Sequence, residues 1–424
     1  MQNINNNSFQ KISQKIISKH LEVEKFFAEK FLEFPPLFYN SIDLRRSGSK
    51  IAAIDTNCFP AGFNNILGHS KEVAKKIVDD FFDKNPVVEI REARRVLIIP
   101  ENHTRNFRYL ENVVNLCEII SGTREVKVGS LIPDLEDKAI IGLESGASVE
   151  LNPLVRNGDR IATKDGFVPD FILLNNDLTS GIPDILQNVT IPVEPSPSLG
   201  WHSRTKSNHF TIYNRLAEEL ALILEIDPWL ISSFHRSCHD VDFKEPDKEV
   251  GGIRCLAKYV DELLNLLKKK YQEHGIEEEP YCFIKADNGT YGMAVWPVFS
   301  REDVLEINKK ERNKMNMLKE SVQNTQVMIQ EGIRTADLID GKVAEPMIYM
   351  MNGSVIGNLF RVNETRDESI SLNAAGASFV DLRNLSESEL AIGGSKDEMS
   401  AIYSVIARLA ALASSIEKFN SNKK

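Results

Sequence analysis

Lys285 stands where a short apolar run, Tyr281 to Ile284, gives way to the turn-rich segment Ala286-Asp-Asn-Gly-Thr-Tyr-Gly292. A second apolar run, Met293 to Val298, follows, so the stretch reads as strand, glycine loop, strand. Gly289 and Gly292 let the backbone come close to a ligand and aim N–H groups at phosphate oxygens. Lys285 adds a compact positive charge at the strand end. That combination suits a polyphosphate. It is not the helix-entering phosphate loop, because the chain has no G-x-x-x-x-G-K-[ST] and a strand follows the glycines. Taken alone, the stretch fits an ordinary hairpin with a buried lysine stem equally well.

The elements that must position such a site come before and after it. Residues 8–34 carry Ile12, Ile16, Ile17, Leu21 and Phe26 as a helical stripe, closed by Pro35-Pro36. Three apolar strands then empty into polar loops. Ile51 to Ile54 runs into 55–65, Val96 to Ile99 into 100–106, and Phe171 to Leu174 into Asn175-Asn-Asp177. Helices are expected at 70–83, with Ser70 as N-cap, and at 107–120. This strand–helix alternation predicts a parallel sheet with a pocket along one edge, over about residues 1–195.

The proline-rich segment 192–201 reads as an extended interdomain stretch. His202, Arg204, Lys206 and His209 crowd behind it, either as a solvated basic turn or as a patch for carboxylate or phosphate. Residues 208–224, 253–271, 300–319 and 400–418 read as helices, and 234–250 as a surface loop despite Cys238 and His239. A strand at 327–330 precedes a hairpin, 343–351 and 354–362, turned by Asn352-Gly353. A polar loop, 363–378, follows.

At 424 residues the chain holds two or three domains. Its 42% hydrophobic and 26% charged composition is that of a soluble globular protein. A net charge of −10 speaks against a general nucleic-acid or anionic-membrane binder. No apolar run reads as a bilayer span, and the polar start carries no export signal. Five scattered cysteines, with no C-x-x-C, are expected as reduced thiols in the cytoplasm.

The order of parts resembles the ATP-grasp fold: lysine strand and glycine loop (285–292), a strand ending Gln330-Glu-Gly-Ile333, a hairpin ending in Arg361, and a glycine loop with Asn373. The segment RVNETRDESISLNAAG at 361–376 is similar to bacterial glutathione synthetases. DTNCFPAGFNN at 55–65 and EPSPSLGWHSRTKSNHF at 194–210 are instead similar to a proteobacterial family of ATP-grasp glutamate–cysteine ligases. The resemblance then covers most of the chain. It implies an α/β protein with an open, pre-ATP-grasp-like α/β domain at 1–195 and an ATP-grasp α+β module at 196–424, its lid at about 227–320.

The resemblance also implies roles. Lys285 would lie over the phosphates of ATP, with Gly289, Thr290 and Gly292 as the lid loop. Gln330, Glu331 and Ile333 would grip adenine. Arg361 would meet the γ-phosphate and the acyl phosphate, and Asn373 would hold Mg2+. The usual magnesium carboxylate two residues before that Asn is here Ser371. Glu345, Glu364, Asp367 and Glu368 are the alternatives. Arg45, Asn57, Asn64, Arg105 and Arg204 look like carboxylate anchors for the substrates, L-glutamate and L-cysteine. The reaction would join the γ-carboxylate of glutamate to the amine of cysteine through an acyl phosphate, the first step of glutathione synthesis. It needs no side-chain nucleophile, so Cys58 needs no catalytic role. The alternatives are another ATP-grasp ligase, such as glutathione synthetase, or a non-catalytic nucleotide-binding protein. A homo-oligomer is compatible with all three.

Overall fold

A computed structural model describes residues 7–243, 252–289, 295–316, 324–374, 376–386, 389 and 395–421. The first sheet is parallel at its heart. Arg95–Pro100 lies between Glu125–Ser130 and Phe171–Asn175, and Ser148–Asn157 and Val193–Glu194 extend it on either side. Phe171–Asn175 is buried throughout and Arg95–Pro100 at all but its first residue, as strands covered on both faces must be. Val96, Ile98, Phe171 and Leu173 face the helices Gly68–Asp83 and Phe107–Ser121, while Leu97, Ile99, Ile172 and Leu174 face the loops at 178–199. The second of these helices is capped by Asn106, whose Oδ1 accepts from Tyr109 N at 3.1 Å.

The second, central sheet is antiparallel. Its order is Ser378–Asp381, Ser354–Val362, Lys342–Met351, Tyr39–Arg46, Ile51–Asn57. Strand pairing therefore joins residues 39–57 to 342–381, across the sequence position of the expected division at 195. Ile51–Asn57 belongs to this sheet, so only two of the three strands with polar ends lie in the parallel one. Alternation in YNSIDLRR sends Ile42 and Leu44 into the core and Ser41, Asp43 and Arg45 to the other face.

The core face packs on the helices Asn7–Ser18, His20–Glu33, Lys206–Leu224 and Lys396–Ser421. The last is long and apolar enough to cross a membrane, contrary to the sequence reading, but its apolar stretch is 72% buried inside the fold. It is the core helix of this layer. The third sheet, His235–Cys238, Val327–Glu331, Cys282–Ala286, Val295–Val298, is antiparallel and carries the helix Ile253–Glu273 on one face.

Several local expectations change. The first helix breaks at Lys19, whose Nζ reaches Ile223 O at 2.8 Å. Phe9, Ile12, Ile16, Val23 and Phe27 form the buried stripe, and Ile17 and Leu21 lie off it, exposed at 43% and 71%. Ser70 is no N-cap; its helix starts at Gly68, and the buried Ser70 hydroxyl points at Asp381 (3.4 Å). His235–Cys238 is a strand because it pairs with Val327–Gln330. The charged stretch from 300 forms two short helices, Arg301–Leu305 and Lys309–Asn316.

Candidate active site

In antiparallel strands, opposed residues share a face. Ser41 lies opposite Asn57 and Tyr349, Asp43 opposite Asp55 and Met347, and Arg361 opposite Glu345 and Phe379. One face of the central sheet is therefore polar in its middle. With the helix start at 106–109, Asp177, Asn373 and Ala377 to Phe379, it lines a cavity of about 590 Å³. Between this sheet and the third sheet lies a narrower cleft of about 50 Å³. Phe283, Lys285 and Gly289 form its third-sheet wall. Asp43, Asp55, Arg361 and Asn373 line both spaces.

The third sheet is fastened at this point. Asp287 is fully buried, and its carboxylate accepts from Ser207 N (2.7 Å) and Ser207 Oγ (2.6 Å) at the start of the helix Lys206–Leu224. That bond sets Lys206 beside Lys285. Lys206 Nζ lies 2.5 Å from Asp55 Oδ1. Lys285 Nζ donates to Ile54 O (3.0 Å) and Gln330 Oε1 (2.7 Å). Burial pulls the Lys285 ammonium down from 10.5 to about 8, against the attraction of Asp55. Burial pushes Asp55 up, but Lys206 and Lys285 outweigh it and hold the carboxyl at about 2.

Arg361 is the hub of the wall. Its Nη1 lies 3.0 Å from Asp43 Oδ2 and 2.5 Å from Glu345 Oε1, and its Nη2 3.3 Å from Asp43 Oδ1. Its Nε is buried without a partner among the described residues. Burial raises Asp43, Arg361 pulls against that, and the neighbouring Glu345 adds to the rise; the net direction is up. Glu345 moves down, because Arg45 and Arg361 together outweigh its burial.

The expected site residues divide. Lys285, Gly289, Arg361, Asn373, Glu345 and Arg45 line the cleft, and Asn57 and Asn64 the larger cavity. Thr290 and Gly292 lie outside the described residues. Arg45 and Glu345 face the cleft already paired, Nε to Oε2 at 3.1 Å, and Arg45 also donates to Ile333 O (3.1 Å) and Ile370 O (2.5 Å). Arg204 is buried against Glu417 (3.1 Å) and Thr56 O (2.7 Å), and lines neither space.

Gln330 faces Lys285 from within the sheet, and its Nε2 donates to Ser233 Oγ at 2.8 Å. Glu331 turns away, accepting from Lys50 (2.8 Å), Trp229 Nε1 (3.0 Å) and Phe234 N (3.2 Å). Glu364 stands outside on Lys342, and Arg105 is exposed on the outer side of its loop. Cys58 is buried, and burial pushes its thiol up. The one three-group His/carboxylate cluster among the described residues, Asp227–Glu273–His274, lines neither space and already holds the Lys270 ammonium (3.0 and 2.8 Å).

Sequence reading missed Asp43, Asp55 and Arg108, and named Lys206 only as one of a basic cluster. The alternation in YNSIDLRR carried a signal for Asp43, whereas Asp55 reaches the same face only through a register shift in its pairing, between Asp43 and Leu44. Gly62 shapes the cavity wall. Its φ is +96°, and a Cβ there would lie 2.2 Å from the Tyr349 hydroxyl, which donates to Ala61 O at 2.7 Å. Gly62→Ala is expected to destabilise the fold by about 1–3 kcal/mol, read as a lower melting temperature, and to raise KM for an amino-acid substrate.

The chain matches the family model GshA, glutamate-cysteine ligase, over residues 13–418. No curated protein matches it. Among solved structures it is similar to a "Putative gamma-glutamylcysteine synthetase" from Methylobacillus flagellatus KT, at 36% identity and a TM-score of 0.88, covering 99% of this chain and 98% of that one. Two further structures are only distantly alike and carry no argument. They are the D-alanyl-alanine synthetase A of Vibrio cholerae O1 biovar eltor str. N16961 (13% identity, TM-score 0.34, 74% of this chain and 79% of that one) and a glutathione synthetase like-effector of Globodera pallida (9%, 0.36, 88% and 80%). The architecture is a pre-ATP-grasp-like α/β part joined to an ATP-grasp module. On the family match and this near full-length likeness, the chain belongs to the ATP-grasp glutamate–cysteine ligase family.

Proposed function

We propose that this chain carries out its family's reaction, the ATP-dependent joining of the glutamate γ-carboxylate to the cysteine amine, across the wall shared by the two spaces. The carrying observation is that Asp43, Asp55, Arg361 and Asn373 line both the cleft and the cavity. An acyl phosphate made at that wall is open to an amine on its far side without release to water. ATP takes the cleft, with Lys285 and Arg361 on its phosphates. Glutamate and cysteine take the cavity at the ends of the parallel strands, where open α/β sheets hold ligands.

A carboxylate oxygen does not leave. Phosphorylation makes it leave as phosphate. The protein's part is to hold the γ-carboxylate in line and meet the charge that develops, which Arg361 does from its fixed seat. A cleft of about 50 Å³ has room for about one water molecule, so the third sheet lifts to admit the nucleotide and closes over it.

The donor set suits a magnesium ion that arrives on ATP. Such an ion keeps most of its oxygens from phosphate and water and needs few from the protein. Asn373 would supply a neutral amide oxygen, whereas Glu345 has both oxygens on arginines. When bound, magnesium neutralises charge between the β- and γ-phosphates.

Phosphate release with ATP and Mg2+ tests the reading. It should be strong with glutamate plus cysteine, weak with glutamate alone and weak with γ-glutamylcysteine plus glycine. Strong release with the last pair would make the chain a glutathione synthetase.

Within the cavity, Asn57→Ala is expected to raise KM for glutamate or cysteine by roughly tenfold, the loss of about 1.5 kcal/mol in a bond to a charged substrate. ATP affinity without amino acids should not move. Arg105→Ala, on the exposed side of its loop, should leave all three constants closer to wild type. Equal effects of the two variants would place Arg105 on the substrate.

A further inference from the structure

The reaction ends with an amine attacking an acyl phosphate, and no residue has been given the amine. An amino acid arrives as an ammonium ion, which cannot attack until it loses a proton. The residue that receives it must lie where cleft and cavity meet. Of the four described residues there, Arg361 is a cation and Asn373 is neutral. Asp55 is held by Lys206 at 2.5 Å, with Lys285 and Arg204 as further cationic neighbours. It is an anion with little appetite for a proton.

Asp43 differs. Its carboxylate is gripped by Arg361 through both oxygens (3.0 and 3.3 Å), so its orientation is fixed. It lies opposite Asp55 on the neighbouring strand, and Glu345 is set on the strand beyond. The charged groups facing it are thus Asp55 from 51–57, Glu345 from 342–351 and Arg361 from 354–362. Burial, helped by Glu345 and Asp55, outweighs Arg361 and leaves it readier than Asp55 to accept a proton. Its side chain is 17% exposed, open to the cavity, while Arg361 ties it to the place where phosphate leaves.

We propose that Asp43 receives the ammonium group of the incoming cysteine and takes the proton that it must shed before attacking the γ-acyl phosphate. This rests on the ligase reading above. In the step the nitrogen forms its bond to the γ-carbon and the carbon–oxygen bond to phosphate breaks. The ammonium loses two protons in all. One goes to Asp43 and on to water, and the other leaves with the phosphate as hydrogen phosphate. Asp43 holds its nucleophile by charge first and by proton transfer second.

The test uses hydroxylamine, which is uncharged at neutral pH and needs neither anchor nor base. The wild-type chain with ATP, Mg2+ and glutamate should form γ-glutamylcysteine from cysteine and γ-glutamyl hydroxamate from hydroxylamine. In Asp43→Asn the cysteine reaction should lose about 100-fold or more in kcat, as when a general base is removed. Hydroxamate formation should stay near the wild-type rate, because asparagine still offers Arg361 an oxygen.

Equal loss in both reactions by a folded variant would reduce Asp43 to a support for Arg361 and overturn the proposal. Unimpaired ligation of cysteine would overturn it too. If Asp43→Asn does not fold, the wild type decides. Its kcat with cysteine should fall on the acid side as Asp43 becomes protonated, and the hydroxylamine rate, corrected for hydroxylamine's own protonation, should lack that limb. A limb common to both would overturn the role. A wild-type chain that makes neither product removes the ligase reading itself.

Discussion

Replacing Lys285 with methionine is expected to lower kcat on the order of 100- to 1000-fold, as loss of one preorganised group at a charge-developing centre does. The fold should survive. Lys285 is buried, and its ammonium is bonded to Ile54 O and Gln330 Oε1 with no carboxylate among its hydrogen-bond partners in the described residues. Its proton is accordingly held more weakly in the folded chain, at about 8, than the ordinary 10.5 of an unfolded one. Between those values the unfolded chain binds the proton and the folded one does not. The wild type therefore gains stability from this group as pH rises from about 8 to 10.5, and carries the full penalty below about 8.

Lys285→Met should be the more stable protein at neutral pH, with the difference fading toward pH 10.5. ATP affinity should run the other way. In the wild type it should be full below about pH 8 and decline above as the lysine loses its charge; in the variant it should be lower and flat. Melting curves and ATP titrations at two pH values read both. Near-normal turnover would return Lys285 to the role of a buried stem.

Lys285 was legible in the sequence because the argument is local: strand, lysine and glycine turn sit within a dozen residues. Arg361 and Asn373 were legible through a resemblance that also runs within one segment. Asp43 and Asp55 were not, although they line both spaces. They lie some three hundred residues before Arg361, and only the pairing of Tyr39–Arg46 with Lys342–Met351 brings them to it. Nothing local predicts which strands pair. The same limit explains Arg204. A charge beside a turn reads as a ligand group, yet Glu417, from the last helix, takes it. The two strands expected on either side of the glycine loop pair with each other, Cys282 opposite Val298 and Lys285 opposite Val295, while residues 290–294 of the loop lie outside the described residues.

Arg361→Gln should be the most damaging single change, because one guanidinium serves both stability and chemistry. It is 5% exposed and neutralises Asp43 and Glu345 at once. Removing it leaves a buried carboxylate without its cation, a loss of about 3–5 kcal/mol. Glutamine restores one donor, and Arg45 still holds Glu345 at 3.1 Å, so the lower end is expected.

The pH dependence follows from the direction of the shifts. Glu345 is held below its ordinary value by Arg45 and Arg361 against its burial, so its contribution is present above the unfolded carboxylate range and lost as pH falls through its folded value. Without Arg361 both Asp43 and Glu345 rise, and protonation relieves the variant on acidification. The melting deficit of Arg361→Gln should therefore be largest near neutrality and shrink toward pH 4–5, roughly the unfolded carboxylate range. A deficit independent of pH would mean that the arginine's packing, rather than its charge, is what the fold uses.

The kinetic loss should exceed what stability accounts for. At a temperature where the variant is fully folded, kcat should still fall on the order of 100-fold or more, since the charge that met the departing phosphate is gone. Hydroxamate formation should fall with it, unlike in Asp43→Asn, because in the proposed reaction Arg361 acts on the acyl phosphate before any amine arrives. Hydroxamate formation that survives the loss of Arg361 would move the phosphate contact to Lys206 or Arg45, the other cations lining the cleft.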